Sequence, residues 1–260
     1  MKVGLIQLCS TLLPEDNLSK IKKFLEEAKK EKVEAVFLPE VYYSMPIGME
    51  RPSHLVKKGN AHFDQIKKLS QEFSIAILGG SVCYEGDKGE VLNRSLNFDK
   101  NGNDLGFYDK INLFRCNLPE KKVDEGELFV EGKTPRLIEC GPLKIGLSIC
   151  FDLRFPRLYQ DYRDQGANLL SISSAFTVPT GKAGHWSILV RARAIENQCF
   201  VVACNQWGPN NEKTETWGHS MIVNPWGEVL ADAGEGEKLI FAELNLEEVE
   251  LMRKRVVLKK

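Results

Sequence analysis

Apolar residues recur along this chain in two rhythms. Val3 to Leu8 is a near-continuous apolar run of strand length, and Leu18, Ile21, Leu25 and Ala28 then recur at helical spacing through a segment rich in lysine and glutamate. Val33 to Leu38 predicts a second buried strand that ends at Pro39-Glu40, with Ser44, Pro46, Gly48 and Pro52 marking the loop behind it. Phe63, Ile66 and Leu69 define a helix from His62 to Phe73, and Ile75 to Leu78 starts another strand. Strand-helix-strand units of this kind predict a layered α/β protein.

The middle of the chain follows a different pattern. Ser95 to Phe98 alternates and stops at Asp99-Lys100-Asn101-Gly102, a hairpin-type turn leading to Leu105 to Tyr108, and Gly141-Pro142 joins Leu137-Ile138 to Leu143 to Ile149 in the same way. Antiparallel hairpins beside crossover units require mixed sheets. Beyond Cys150 the spacing predicts a helix from Pro156 to Gln165, a strand from Leu169 to Ser173, a helix from His185 to Asn197 and a strand from Phe200 to Ala203. Met221 to Val223, Val229-Leu230 and Leu239 to Leu244 supply late strands. With no linker-like tract or repeat, residues 1–260 read as one domain. Two sheets packed face to face, each covered by helices on its outer side, suit these units; one open sheet has the same spacing.

Composition narrows the function more by exclusion than by assignment. The 260 residues carry 35 Lys and Arg against 36 Asp and Glu, a formal charge of −1, and this balance predicts neither a nucleic-acid partner nor an anionic membrane. Seven cysteines, at 9, 83, 116, 140, 150, 199 and 204, are odd in number and show no close-paired spacing, so they read as thiols in a reducing compartment. The opening run Val3 to Leu8 meets polar residues too soon for a signal sequence, and no apolar stretch approaches the roughly 18–20 residues of a membrane span. A cytoplasmic location is expected.

Candidate chemistry gathers at strand ends. Lys144 to Ile149 is an apolar strand that delivers Cys150 into a turn before the helix at Pro156, where a sulfur nucleophile would meet free backbone N–H groups able to hold an oxyanion. Taken alone, Cys150 also reads as a small buried hydrophobe. Glu40 and Lys110 terminate the apolar runs Val36 to Pro39 and Gly106 to Tyr108 in the same manner. A carboxylate beside the thiol can accept its proton and an ammonium can stabilise negative charge, although either residue singly fits a charge facing water.

Together these segments resemble the nitrilase superfamily of carbon–nitrogen hydrolases, in its amidase branch, over nearly the whole chain. Leu38-Pro39-Glu40 resembles the family's glutamate motif, Tyr108 to Phe114 its lysine motif and Ile149 to Pro156 its cysteine motif, in the family order. Asp124-Glu125-Gly126 with Phe129 and Gly132 resembles the segment of a second glutamate, placed at Glu125 with Glu127 as the alternative. The stretches His185-Trp186, Arg191 to Gln198, Gly218 to Ser220 and Asn224 to Gly227 also look like family sequence, read as structural and subunit-contact elements. The resemblance implies an α-β-β-α sandwich, a homodimer or larger assembly, and no metal or organic cofactor. It further implies that Glu40 takes the Cys150 proton, that the sulfur attacks an amide carbon, that Lys110 and the Phe151 N–H hold the oxyanion, and that water hydrolyses the resulting thioester after ammonia leaves. Glu125 would orient Lys110 or the substrate.

The chain departs from the family pattern at Asn112, where His is common, at an extra-looking Gly184, and at Ser187, where Glu is usual. The segments from Cys150 to Pro156 and from His185 to Gln198 look most like enzymes that deamidate ω-amides of keto acids or deaminated glutathione. Arg154 is a candidate for the free carboxylate of such an amide, against an internal ion pair with Asp152 or Glu196. Gly79-Gly80 fits no phosphate-loop pattern and reads as a strand bend. His54, His62, His185 and His219 form no short ligand pair, and the basic tail from Arg253 suits the C-terminus of a helix that begins near Glu247-Glu248. The resulting expectation is a cysteine amidohydrolase acting on a linear amide of a carboxylic acid. A carbamoylase or nitrilase with the same residues, and a non-catalytic scaffold of the same fold, are the alternatives.

Overall fold

The structure is a computed structural model that describes residues 1–118 and 121–258. From the N-terminus, β1 (Lys2–Gln7), α1 (Pro14–Lys30), β2 (Ala35–Phe37), α2 (Ala61–Phe73) and β3 (Ala76–Leu78) form two crossover units, with β1, β2 and β3 parallel. β4 (Ser81–Glu85), β5 (Val91–Phe98) and β6 (Asp104–Asp109) extend that sheet in antiparallel fashion, and a separate hairpin follows as β7 (Arg115–Leu118) and β8 (Lys121–Asp124). A second sheet opens with the hairpin β9 (Leu137–Cys140) and β10 (Leu143–Ile149). It then runs through α3 (Pro156–Asp164), β11 (Leu169–Ser174), the short α4 (Val178–Lys182), α5 (His185–Asn197) and β12 (Phe200–Asn205). The hairpin β13 (Trp207–Asn211) and β14 (Thr214–Trp217) precedes β15 (Met221–Val223) and β16 (Val229–Asp232), which complete the second sheet. β17 (Lys238–Glu243) then returns to pair antiparallel with β1, and α6 (Glu247–Arg255) follows. The orders are β17-β1-β2-β3-β5-β4 with β6 beside β5, and β16-β15-β12-β11-β10-β9.

The alternation of side chains along each strand decides between two packed sheets and one open sheet. Val3, Leu5, Ala35, Phe37, Ala76 and Leu78 share one apolar cluster with Ile145, Leu147, Ile149, Leu169, Phe200 and Val202, so the two sheets face each other across it. Their neighbours point the other way: Ile6, Val36, Leu38 and Ile77 pack with Ile21, Leu25, Ile66 and Leu69 of α1 and α2, while Leu170, Ile172, Val201 and Ala203 pack with Tyr159, Tyr162, Trp186 and Val190 of α3 and α5. Four layers, α-β-β-α, result. Strands buried on both faces read as unbroken apolar runs, which is why the sequence signals them so strongly. Each such Leu, Ile or Phe contributes about 1.5–3 kcal/mol by leaving water.

Helix ends follow from local chemistry. The Asn60 side chain accepts from the Phe63 N–H at 2.9 Å to open α2, and Pro14 sits in the first turn of α1. Glu247, Glu248 and Glu250 begin α6 and Arg253, Lys254 and Arg255 end it, complementing the helix dipole. Arg253 also donates to the Ala167 carbonyl at 2.7 Å, so the basic tail is in part an anchor onto the second sheet.

The expected elements appear with their ends shifted by a few residues, but β4, the β7–β8 and β13–β14 hairpins and α4 carry no clear apolar period. The sequences Trp207-Gly208-Pro209-Asn210-Asn211 and Thr214-Glu215-Thr216-Trp217 form a two-stranded sheet outside either main sheet, and so need no continuous apolar face. At the predicted bend, Gly79 has φ +76°, and a Cβ there would lie 2.6 Å from Ser171 Oγ of the facing sheet. Gly79→Ala is therefore expected to destabilise the protein by about 2–5 kcal/mol, the sum of a left-handed backbone and an overpacked sheet interface. Gly89→Ala, at φ +78° with open space around it, should cost only about 1–2 kcal/mol. Urea unfolding of the pair measures the difference.

Candidate active site

Three of the expected residues follow strand ends: Glu40 lies just beyond β2, Lys110 directly follows β6, and Cys150 directly follows β10. The first two come from one sheet and the third from the other. Lys110 is 1% exposed and Glu40 3%, so neither is a charge facing water. Lys110 Nζ lies 2.9 Å from Glu40 Oε1 and 2.8 Å from Glu125 Oε2, between the two carboxylates. Glu125 also accepts from the Phe114 N–H at 2.7 Å, tying it to the loop that carries Lys110. Glu127 is exposed, and the choice between the two glutamates thus falls on Glu125 for contact with Lys110.

Burial by itself would lower the affinity of Lys110 for its proton. Glu125 and then Glu40 override that effect and hold the ammonium well above its ordinary range. Burial raises the Glu125 carboxyl, with Lys110 opposing and Glu40 reinforcing the shift. Burial and then the Glu40 charge push the Cys150 thiol well above its usual value, against the pull of Lys110. The resting sulfur is accordingly a thiol, with a carboxylate able to accept its proton close by. Cys150, Glu40 and Glu125 line one cavity of about 560 Å³, together with Val41, Met45, Phe114, Phe129, Phe151 and Phe176.

The turn that carries the sulfur is unusual in its backbone. Cys150 has φ +48°, a left-handed conformation that costs a non-glycine residue about 1–2 kcal/mol and persists only where its surroundings impose it. Val41, next to Glu40, has φ +49°, and its N–H donates to Ser81 Oγ at 3.0 Å. Asp152, fully buried, accepts from the Ile149 N–H and the Tyr108 hydroxyl on Oδ2 and from both the N–H and the side chain of Asn112 on Oδ1.

Of the remaining expected residues, Phe151 and Arg154 line the cavity, and the Phe151 ring meets those of Phe114 and Phe155 edge-on. The internal ion pair considered for Arg154 does not form, because Asp152 is engaged as above and Glu196 pairs with Arg193. Arg154 contacts His185 Nδ1 at 3.2 Å instead, with its guanidinium near the Phe151 and Phe176 rings. Gly184 and Ser187 stand outside the cavity lining, so those departures from the family pattern do not shape it directly. Among the described residues, no group of three or more His, Cys, Asp or Glu side chains is arranged to hold a metal ion. His62 Nδ1 instead meets the Tyr43 hydroxyl at 2.7 Å.

Two supports of Glu40 were not read from the sequence. Asn93 Nδ2 donates to Glu40 Oε1 at 2.8 Å and the Ala175 N–H to Oε2 at 2.8 Å. Asn93, Ser95 and Asn97 form a buried polar row on one face of β5, while Leu92, Leu96 and Phe98 pack toward the helices. That inverted alternation is the legible signal for Asn93; a backbone donor such as Ala175 leaves none.

Comparison with known proteins places this geometry among relatives. The carbon–nitrogen hydrolase family model matches residues 2–254. The chain is 34% identical to a deaminated glutathione amidase of Synechocystis, over 96% of this chain and 94% of that one. It is 33% identical to the human omega-amidase NIT2, over 98% of this chain and 92% of the relative. The crystal structure of Saccharomyces cerevisiae Nit3, a member of branch 10 of the nitrilase superfamily, superposes with a TM-score of 0.89 at 31% identity, covering 100% of this chain and 95% of that one.

Because the Cys150 thiol is raised, the ultraviolet thiolate absorbance that disappears in Cys150→Ala should develop only above pH 9.0, the ordinary value for the group. A difference spectrum already complete at neutral pH would contradict the electrostatic balance described.

Proposed function

Since the chain belongs to the carbon–nitrogen hydrolase family, within the nitrilase superfamily, we propose that it is a cysteine amidase that releases ammonia from the terminal amide of a linear carboxylic acid. The observation that carries this reading is the wholly buried Lys110 ammonium, held between Glu40 and Glu125, two carboxylates that line one cavity with the Cys150 sulfur.

In the proposed sequence Glu40 removes the Cys150 proton as sulfur adds to the amide carbon, so a C–S bond forms while the carbonyl becomes an oxyanion. Lys110 and the Phe151 N–H hold that oxyanion. Glu40 returns the proton to nitrogen, the C–N bond breaks and ammonia leaves a thioester on Cys150. Water then gives a proton to Glu40 and adds to the thioester, and collapse of the second oxyanion breaks the C–S bond, returns the proton to sulfur and frees the acid. Glu125 keeps Lys110 charged and aimed. The scheme uses only this chain's side chains and water.

Arg154 supports a substrate with a second, anionic end. It lines the cavity, and among the described residues no carboxylate pairs with it. A free carboxylate remote from the amide suits a guanidinium in such a wall. The relatives named for omega-amides and deaminated glutathione both concern substrates of this description, and a cavity of about 560 Å³ has room for either.

Two further parts of the reading concern the whole protein. Ile188 and Ile195, a heptad apart on α5, are 65% and 46% exposed, and Trp226 is 61% exposed, which supports a homodimer that covers this face. Seven free thiols support a cytoplasmic setting.

A panel of α-keto-ω-amides, deaminated glutathione, N-carbamoyl amino acids and nitriles tests the substrate class through ammonia release. Turnover of the carboxylated amides is expected, and silence from every amide would overturn the proposal. Glu40→Gln should slow acylation by about 10²–10⁴-fold, the usual worth of a positioned base. Arg154→Met should raise KM for a carboxylated amide by about 10–100-fold, the loss of one charge-assisted contact, and leave an uncharged alkyl amide unchanged. Light scattering should give a dimer that Ile188→Glu weakens.

A further inference from the structure

We propose that Asp152 is a positioning residue that fixes Lys110 and Cys150 in register with each other across the two sheets, an inference that rests on the amidase reading of those two side chains. Each of its oxygens serves two donors. The Tyr108 hydroxyl at 2.7 Å and the Ile149 N–H at 2.9 Å share Oδ2, and the Asn112 N–H at 2.9 Å and Nδ2 at 2.8 Å share Oδ1.

The placement of these donors along the chain gives the arrangement its force. Tyr108 and Asn112 stand two residues before and two after Lys110, so a single carboxylate grips the lysine loop on both sides. Ile149 immediately precedes Cys150 and Asp152 follows it by two, so the same carboxylate closes the turn around the sulfur. The Ile111 N–H donates to the Tyr108 hydroxyl at 3.3 Å, which brings the remaining flank of Lys110 into the network. The lysine loop leaves the first sheet and the cysteine turn leaves the second. Asp152 is the charged link between them, at 0% exposure.

The conformation of Cys150 shows what the link opposes. A left-handed non-glycine residue relaxes unless it is restrained, and the hydrogen bond from Ile149 N–H to Asp152 spans that residue directly. An amide at position 152 would keep the shape but turn one oxygen into a donor, and whichever way it faced, a backbone N–H, that of Ile149 or that of Asn112, would lose its acceptor. Asn112 takes part with backbone and side chain alike, giving the departure from the family's usual His a defined role in this chain. Four hydrogen bonds to one buried carboxylate hold a geometry in which displacement by an ångström costs on the order of 100-fold in rate.

The test compares Asp152→Asn, Tyr108→Phe and Asn112→Ala with the unaltered protein. Kinetics with a carboxylated ω-amide are normalised to the number of sites that iodoacetamide can label in Cys150, and folding is followed by circular dichroism and thermal melting. Asp152→Asn should lower kcat per labelled site by about 10–100-fold and Tyr108→Phe and Asn112→Ala by about 3–10-fold each, with KM within about twofold and the alkylation rate of Cys150 at one fixed pH reduced in parallel. A merely structural residue would lower the melting temperature and the number of active sites while leaving kcat per site and the alkylation rate unchanged, and that result would overturn the proposal. Should Asp152→Asn fail to fold, the two milder variants decide: unchanged kcat and alkylation in both overturn it. If the unaltered protein turns over no amide, the amidase reading fails, and the alkylation rates still decide whether Asp152 sets the environment of the sulfur.

Discussion

An ammonium with no access to water survives at Lys110 because two carboxylates meet it at hydrogen-bond distance. Burial of the ion alone favours deprotonation, and the two glutamates oppose it together: Glu125 is the larger attraction, Glu40 the second. Burial, opposed by Lys110 and reinforced by Glu40, raises the Glu125 carboxyl above its ordinary range. This arrangement leaves Glu40 held by Asn93, Ala175 and Lys110 with its oxygens aimed, and the rest of the site is organised around that fixed cluster.

Two partner sheets bring the cluster and the sulfur together, and this much of the fold was legible. Runs such as Val33 to Leu38 and Leu143 to Ile149 are apolar on both faces, interrupted only by Glu34, Lys144 and Ser148, because one face meets helices and the other meets the opposite sheet. What the runs do not disclose is which residues face which layer; Val36 and Phe37 look alike in sequence and lie in different cores. The hairpins β7–β8 and β13–β14 leave no apolar run for the opposite reason, since they pair outside the main sheets and mix polar with apolar residues.

The site was legible to a different depth at each position. Glu40, Lys110, Cys150 and Glu125 stand beside distinctive flanks, and the fold brings all four together. Asn93 lies 53 positions from the carboxylate it supports, and Asp152 receives donors from a loop 40 positions away, so these partners are set by tertiary packing, and only the inverted alternation of β5 marks Asn93 as a buried polar residue. Arg154 illustrates the reverse case. Its sequence neighbours Asp152 and the more distant Glu196 both offered plausible counter-ions, and each is occupied by other donors in the fold.

The Ser173 hydroxyl reaches across from the second sheet to the carbonyls of Leu38 and Gly79 at 2.7 Å each, directly beneath the segment that leads to Glu40. One hydroxyl hydrogen cannot satisfy both oxygens at full strength at the same instant, so it is shared or alternates between them. That single hydroxyl ties the second sheet to two neighbouring strand ends of the first, one of them two residues before Glu40, so the position of the base is referenced to the sheet that carries the sulfur.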